Sequence, residues 1–283
     1  MEIIEKAPAK INLSLDVLSK RSDGFHEMEM IMTSIDLADW LTFTLQEEGT
    51  IQLTSDSSFM PHDERNIVFQ TALLVKNRFK ITQGVSIHIE KHIPIAAGLG
   101  GGSSDAAATL RGLNRLWEMD LSLDQLAELG EEIGSDVPFC VYGKTAYATG
   151  RGEKIELIEN IPPCWVVLVK PHKGLSSWKV FENLEVEKLP HFDTQAILEA
   201  IEAQSYTDLV KRAGNALEGI SVLQQPKIEK IKERMLKFGA DTALMSGTGP
   251  TIYGLCKHHS RAKRVVNGLK GFCDEVYLVR TLK

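Results

Sequence analysis

AAGLGGGSSDAA, Ala96–Ala107, sets four glycines (Gly98, Gly100, Gly101, Gly102) within five positions and follows them with two serines, an aspartate and alanines. A glycine in an ordered element costs about 0.5–1 kcal/mol relative to alanine. A cluster of four therefore needs either a tight turn or a ligand that must touch bare backbone. One or two glycines suffice for a strand-to-helix turn. Four of them, then Ser-Ser and a helical run, fit backbone N–H groups turned toward an anion at a helix N-terminus. The stretch reads as a phosphate loop, but not as a Walker A loop, because no lysine precedes the hydroxyl residues Ser103 and Ser104. It does not fit GxGxxG either. Counted from Gly98 and Gly100, the third glycine position is Ser103; counted from Gly100 and Gly102, it is Asp105.

Working outward, Ser104–Trp117 carries Ala107, Leu110, Leu113 and Trp117 at helical spacing, one face of an amphipathic helix. Ser103 or Ser104 reads as its N-cap, with Asp105 in the first turn. A second helix opens at Ser122, with Gln125 placed for a capping box, and runs to about Ile133, where GSDVPF (Gly134–Phe139) breaks it. Upstream, Asn66–Phe79 is helical in pattern. INLSLDV (Ile11–Val17) and GVSIHI (Gly84–Ile89) alternate as half-buried strands, and Trp40–Leu45 and Thr50–Leu53 follow the same style. Downstream, Ala146–Thr149 and Ile155–Ile158 read as strands around the turn GRGE, and Trp165–Val169 as an apolar strand. Asp193–Ile220 and Pro226–Phe238 read as helical. A second glycine stretch, SGTGPT (Ser246–Thr251), separates strands Ala243–Met245 and Ile252–Leu255. Strands and helices mix without strict alternation, which predicts an α+β fold. IPPC (Ile161–Cys164) punctuates the chain and divides it into domains 1–160 and 161–283.

The 283 residues are 43% hydrophobic and 25% charged, a soluble globular composition. The net charge of −6 argues against a nucleic-acid binder that relies on a general positive field. It leaves room for an anionic small molecule, for which a few local cations suffice. No apolar run approaches the ~18–20 residues of a membrane span, and MEIIEKAPAKINLSLDV lacks the apolar core of an export signal. A cytoplasmic protein is expected. The cysteines Cys140, Cys164, Cys256 and Cys273 form no CxxC pair, so no disulfide framework is expected. Cys256 with His258 and His259 lacks a second ligand pair for a metal, and Lys257–Arg264 reads as a solvated basic face.

PIAAGLGGGSSDAA (Pro94–Ala107) resembles the P-x₃-G-L-x-[GS]-S-[ST]-A nucleotide loop of the GHMP small-molecule kinases. APAKINLSLDV (Ala7–Val17) resembles that family's first motif and LMSGTGPTIYGL (Leu244–Leu255) its third, in order and across nearly the whole chain. The resemblance implies two α+β domains with an active site in the cleft between them. Within the family, AKINLSLDV, RSDGFHEMEMIM (Arg21–Met32) and GSDVPFC (Gly134–Cys140) are similar to the branch whose acceptor is a cytidine diphosphate-linked methylerythritol. A homoserine or mevalonate kinase would share the loop but has no use for DGFHEM. A nucleotide-binding member without turnover would not need both a lysine and an aspartate at the family's catalytic positions.

What the resemblance implies, residue by residue, is as follows. Pro94, Ile95, Ala96, Ala97, Gly98, Leu99, Gly100, Gly101, Gly102, Ser103 and Ser104 hold ATP, with Mg²⁺ accompanying it and no protein ligand assigned to the metal. Asp136 serves as general base or orients the acceptor hydroxyl. Lys10 keeps that aspartate ionised and stabilises charge developing on the transferred phosphoryl. Asn12, on the same strand face as Lys10, contacts substrate. Phe25, His26 and Phe181 clamp the cytosine, with Trp178 a rival for Phe181. The family usually shows tyrosine where Phe25 stands, so the ring can still stack but offers no hydroxyl to the substrate. SGTGPT either closes over the substrate diphosphate or turns the chain beside the site. The partners expected are these small molecules, with no nucleic acid and no membrane, for a monomer or homodimer.

Overall fold

The computed structural model describes residues 1–172, 174–182 and 184–282. The fold is mixed α and β, as the pattern predicts, and forms two compact units that are discontinuous in sequence. The first comprises Met1–Ala9, Leu37–Ile95 and Gly100–Gly143; the second comprises Lys10–Asp36, Ala96–Leu99 and Lys144–Lys283. Two long strands, β1 (Glu2–Lys20) and β2 (His26–Gln46), each contribute residues to both units.

In the first unit, β3 (Ile51–Ser55) and α1 (Ile67–Arg78) precede β4 (Gly84–Glu90). β4 pairs antiparallel with the second half of β2, from Trp40↔Glu90 to Gln46↔Gly84, and parallel with β3. Three helices follow: α2 (Gly101–Leu116), α3 (Leu123–Glu131) and α4 (Val137–Tyr142). α2 packs against α1, α3 and α4, and its Ala106, Ala107, Leu110, Leu113 and Leu116 are buried. Local chemistry sets the boundaries. The Asn66 side chain accepts from the Val68 amide at the start of α1, and Ser122 and Gln125 close the expected capping box of α3.

In the second unit, the first half of β2 pairs antiparallel with β5 (Ala146–Gly150), and β5 pairs with β6 (Lys154–Leu157). A four-stranded antiparallel sheet is built from β7 (Trp165–Lys170) and three later strands. Between them lie α5 (Ser177–Phe181), α6 (Thr194–Glu202), α7 (Tyr206–Arg212), the two-residue β8 (Gly214–Asn215), α8 (Glu218–Gln224) and α9 (Lys227–Phe238). β9 (Thr242–Met245), β10 (Ile252–Cys256), α10 (His259–Leu269) and β11 (Glu275–Arg280) complete the chain. The sheet order is β11-β7-β10-β9, and Val166–Val169 of β7 are fully buried at its centre. β8 runs parallel to β1, with Ser14 opposite Gly214.

Four readings of the sequence change. The strand Ile11–Val17 is buried on both faces: Asn12, Ser14 and Asp16 are as inaccessible as Ile11, Leu13 and Val17. Alternation reports chemistry, and here the polar face is covered as well: His191 and Phe192 lie on Asp16, and Gly247 lies against Lys10 and Asn12. α2 starts at Gly101, with Gly100 as its N-cap at φ +68°, so Asp105 falls past the first turn. Glycine reaches that left-handed geometry without the Cβ penalty that would hold a serine back. GSDVPF ends one helix and begins another, with Asp136 as the N-cap of α4 and Pro138 in its first turn, where a missing N–H costs no hydrogen bond. Asp193–Ile220 divides into three helices and a bridge strand, because Asp193 and Ser205 each cap a new helix N-terminus.

One position tests the packing of the first unit. A Cβ on Gly112 of α2 would lie 2.4 Å from the Phe43 ring. Alanine gains about 1 kcal/mol of helix propensity, whereas overpacking a buried ring costs about 1–3 kcal/mol. The clash wins, and Gly112→Ala lowers the melting temperature by roughly 2–8 °C, measured by calorimetry.

Candidate active site

The second unit gathers Lys10, Asn12 and parts of both glycine stretches. Lys10 and Asn12 lie two residues apart on β1, so they share a face, and both are buried. The Lys10 ammonium donates to Asn12 Oδ1 at 2.8 Å, and Asn12 Nδ2 approaches Met30 Sδ at 3.4 Å. Tyr253, fully buried on β10, donates its hydroxyl to the Asn12 carbonyl at 2.7 Å and fixes the strand. The Lys10 amide donates to the Leu99 carbonyl at 2.9 Å, which ties β1 to the first half of the glycine loop. Ser246 Oγ donates to the Gly98 carbonyl at 2.8 Å, and the Thr251 amide to the Ala97 carbonyl at 3.3 Å. SGTGPT is thus a turn seated against Ala97 and Gly98. A Cβ on Gly247 would lie 3.6 Å from Asn12 Oδ1 and 3.7 Å from Lys10 Nζ. Asn215 Nδ2 holds that turn from behind, donating to the carbonyls of Met245 and Gly247. Gly98 itself has φ +74°, and a Cβ there would meet the Ser246 carbonyl oxygen at 2.3 Å. Only glycine satisfies both constraints.

The same unit holds the aromatic residues. His26 stacks on Phe181 with ring centroids 5.4 Å apart and planes 26° from parallel. Its Nε2 is buried with no hydrogen-bond partner among the described residues. Burial, and secondarily the Lys20 cation, lower its pKa and favour the neutral ring. Phe25 is 53% exposed and lies under the Arg151 guanidinium, 5.1 Å away, while Trp178 is 72% exposed. The structure therefore joins His26 to Phe181 and sets Phe25 against Arg151.

In the first unit, Gly100 caps α2 and Gly101–Ser104 form its first turn, so the positive end of the helix dipole and the first amides lie at the glycines. Of the two serines, Ser104 is buried and its hydroxyl donates to the Pro8 carbonyl at 2.7 Å, a bond that holds the turn. Pro94 and Ile95 lead into the loop, Ile95 being 43% exposed. Asp136, at the N-cap of α4, does not use its carboxylate to cap that helix.

Sequence reading passes over a buried ion cluster in this unit. Lys91, just past β4, donates its ammonium to Asp39 on β2 and, at 2.7 Å, to Asp105 on α2. The side chains are 8%, 0% and 1% exposed respectively. Burial raises the Asp105 pKa to about 8, with Lys91 opposing and Asp39 reinforcing the shift. Burial alone would lower the Lys91 pKa, and the two carboxyl groups outweigh it and raise it. The signal available in the sequence is the charged residue at each end of the loop, Lys91 and Asp105, but in one dimension both look like solvated charges.

Residues 66–144 match the family described as GHMP kinases N terminal domain, and residues 193–275 match GHMP kinases C terminal. The chain is 56% identical over 283 residues, all of both chains, to the 4-diphosphocytidyl-2-C-methyl-D-erythritol kinase of Enterococcus faecalis. It is 57% identical over 282 residues to the protein of that name from a Geobacillus species, covering 100% of this chain and 98% of the relative. Among solved structures it resembles a 4-(cytidine 5′-diphospho)-2C-methyl-D-erythritol kinase with a TM-score of 0.84 at 31% identity, each chain covered in full.

The ion cluster predicts a pH dependence of stability. Folded Asp105 keeps a proton that the unfolded chain releases near pH 4, so stability falls as pH rises from about 4 to about 8 and then levels off. Asp105→Asn removes this contribution. Its melting temperature, measured from pH 5 to pH 9, declines less steeply than that of the parent chain.

Proposed function

This chain belongs to the GHMP kinase family, and we propose that it transfers the γ-phosphoryl group of ATP to the 2-hydroxyl of 4-diphosphocytidyl-2-C-methyl-D-erythritol. The observation that carries the acceptor assignment is His26. A buried imidazole stacked on Phe181, with an unpartnered Nε2 in the same compact unit as Lys10 and Asn12, suits a flat base that offers a hydrogen bond at its edge. Full-length relatives bearing the name of this kinase support the reading.

Phosphoryl transfer asks little covalent chemistry of a protein and depends on alignment, charge neutralisation and a group to receive the hydroxyl proton. The γ-phosphoryl moves from the β-phosphate bridging oxygen to the acceptor oxygen, ADP leaves, and the acceptor proton goes to a base. In this reading Asp136 receives that proton or orients the hydroxyl. Lys10 offsets the negative charge developing on the transferred group, and Asn12 holds both the lysine and the acceptor. The loop Pro94–Ser104 presents backbone to the nucleotide phosphates, which the positive-φ glycines and the helix dipole of α2 suit. Among the described residues, no group of three or more His, Cys, Asp or Glu is placed to hold a metal ion. Mg²⁺ would accompany the triphosphate and neutralise part of its charge, and no protein ligand is assigned to it. Among the described residues, no helix is long and apolar enough to cross a membrane. The bacterial relatives that bear the kinase name support placing the reaction in the cytoplasm. By this assignment residues 1–160 supply the nucleotide loop, Lys10 and Asp136, and residues 161–283 supply Phe181.

Purified protein with Mg-ATP, offered the cytidylated methylerythritol, homoserine, mevalonate and galactose in a coupled ADP-release assay, releases ADP with the first alone. Release with another acceptor moves the chain elsewhere in the family. ATP binding without release under any condition removes the transfer activity. Lys10→Ala and Asp136→Ala fold normally and each lower kcat by about 10²–10⁴-fold; near-normal turnover in either takes that residue out of the chemistry. His26→Ala raises KM for the cytidylated acceptor by about tenfold, the worth of a stacked ring plus one hydrogen bond, and moves KM for ATP far less. An equal effect on both substrates argues against base recognition.

A further inference from the structure

Backbone amides that face a phosphate have no side chain of their own to hold them in place. Something beneath must fix the first turn of α2, and the first unit carries one candidate built of charge. Asp39 Oδ1 accepts the amides of His92 at 2.5 Å and Ile93 at 2.7 Å, the residues that lead directly into Pro94. The Lys91 ammonium bonds the other oxygen of Asp39 and, 2.7 Å away, Asp105 Oδ2. A Cβ on Gly101 would lie 3.3 Å from Lys91 Nζ, so this buried ammonium lies directly against the N-terminus of α2. One cation thus joins the segment that enters the glycine loop to the helix that leaves it.

Stability alone is a poor reason for this arrangement, since well-packed apolar residues stabilise a core as well as a buried ion cluster does. The placement suggests a different role. We propose that Lys91, Asp39 and Asp105 are positioning residues for nucleotide binding: they fix the first turn of α2 against the segment 91–93 and set the charge beneath the phosphates. The proposal rests on the glycine loop receiving the ATP phosphates.

The charge balance makes the role testable. Asp105 Oδ1 is buried without a partner among the described residues. The charged groups that face Asp105 are Lys91 and Asp39. The buried faces of α1, α3 and α4, which pack on α2, carry no carboxylate, lysine, arginine or histidine, and their one titratable group is the Cys140 thiol. One cation against two carboxyl groups leaves a proton on the cluster at neutral pH, consistent with the raised Asp105 pKa. Loss of that proton adds a negative charge one turn inside the phosphate-binding helix. ATP affinity therefore falls as pH rises through about 8, over and above the titration of ATP itself.

Equilibrium ATP binding and steady-state kinetics with the full chain, from about pH 6 to about pH 9, test this. Above the change due to ATP's own titration, the parent chain weakens its ATP binding as pH rises through about 8, and Asp105→Asn removes that added decline. Asp39→Asn keeps an oxygen for the two amides but removes the second carboxylate; it raises KM for ATP by about tenfold while kcat and KM for the acceptor change less than about threefold. A parent slope that Asp105→Asn leaves intact overturns the proposal, as does an Asp39→Asn effect spread equally over ATP, acceptor and kcat. If Asp39→Asn does not fold, the slope in Asp105→Asn decides alone. A parent chain that binds no ATP at any pH instead overturns the nucleotide assignment of the loop.

Discussion

A loop made of glycine backbone cannot hold its own shape, and much of this structure answers that constraint. Gly98 and Gly100 adopt left-handed geometry that leaves the main chain without side-chain cover, but glycines give up rigidity in exchange. Rigidity comes from neighbours. In one unit the carbonyls of Ala97, Gly98 and Leu99 are held by Thr251, Ser246 and the Lys10 amide. In the other, Ser104 is held on Pro8, and Gly101 lies over a buried ammonium. Each half of the loop is fixed by groups far away in sequence.

The second organising feature is the polar face of β1. Lys10, Asn12, Ser14 and Asp16 form a row of buried polar side chains on a strand whose other face, from Ala7 to Val17, is apolar. Burying polar groups costs free energy unless their hydrogen bonds are met. Most of this row is matched: Lys10 by Asn12, and Asp16 by the Phe192 amide and His191. Ser14 Oγ and His26 Nε2 are buried without partners among the described residues. A fold tolerates such atoms where a ligand or chemistry needs them, and the unpartnered His26 Nε2 is what the proposed base recognition draws on.

In the proposed function, backbone and side chains divide the work. The loop Pro94–Ser104 and α2 would meet the nucleotide with main chain. Selection of the acceptor would fall to the side chains of His26, Phe25 and Phe181, two of which the structure stacks together. Phe25, half exposed, presents a ring face on which the Arg151 guanidinium packs.

The sequence by itself determined what local chemistry controls. The α+β class, the capping box at Ser122 and the strand Gly84–Ile89, observed as Gly84–Glu90, are all legible in one dimension, and so is the glycine cluster that precedes α2. Periodicity, capping and glycine clustering act over a few residues, so they survive without the fold. Only the tertiary structure decided that both faces of Ile11–Val17 are covered, that Phe181 rather than Trp178 stacks on His26, and that Lys91, Asp39 and Asp105 meet in one buried cluster. Asp39 is 52 residues from Lys91, which is itself 14 residues from Asp105. Coulomb energy depends on distance in space and on exclusion of water, and neither is written along the chain.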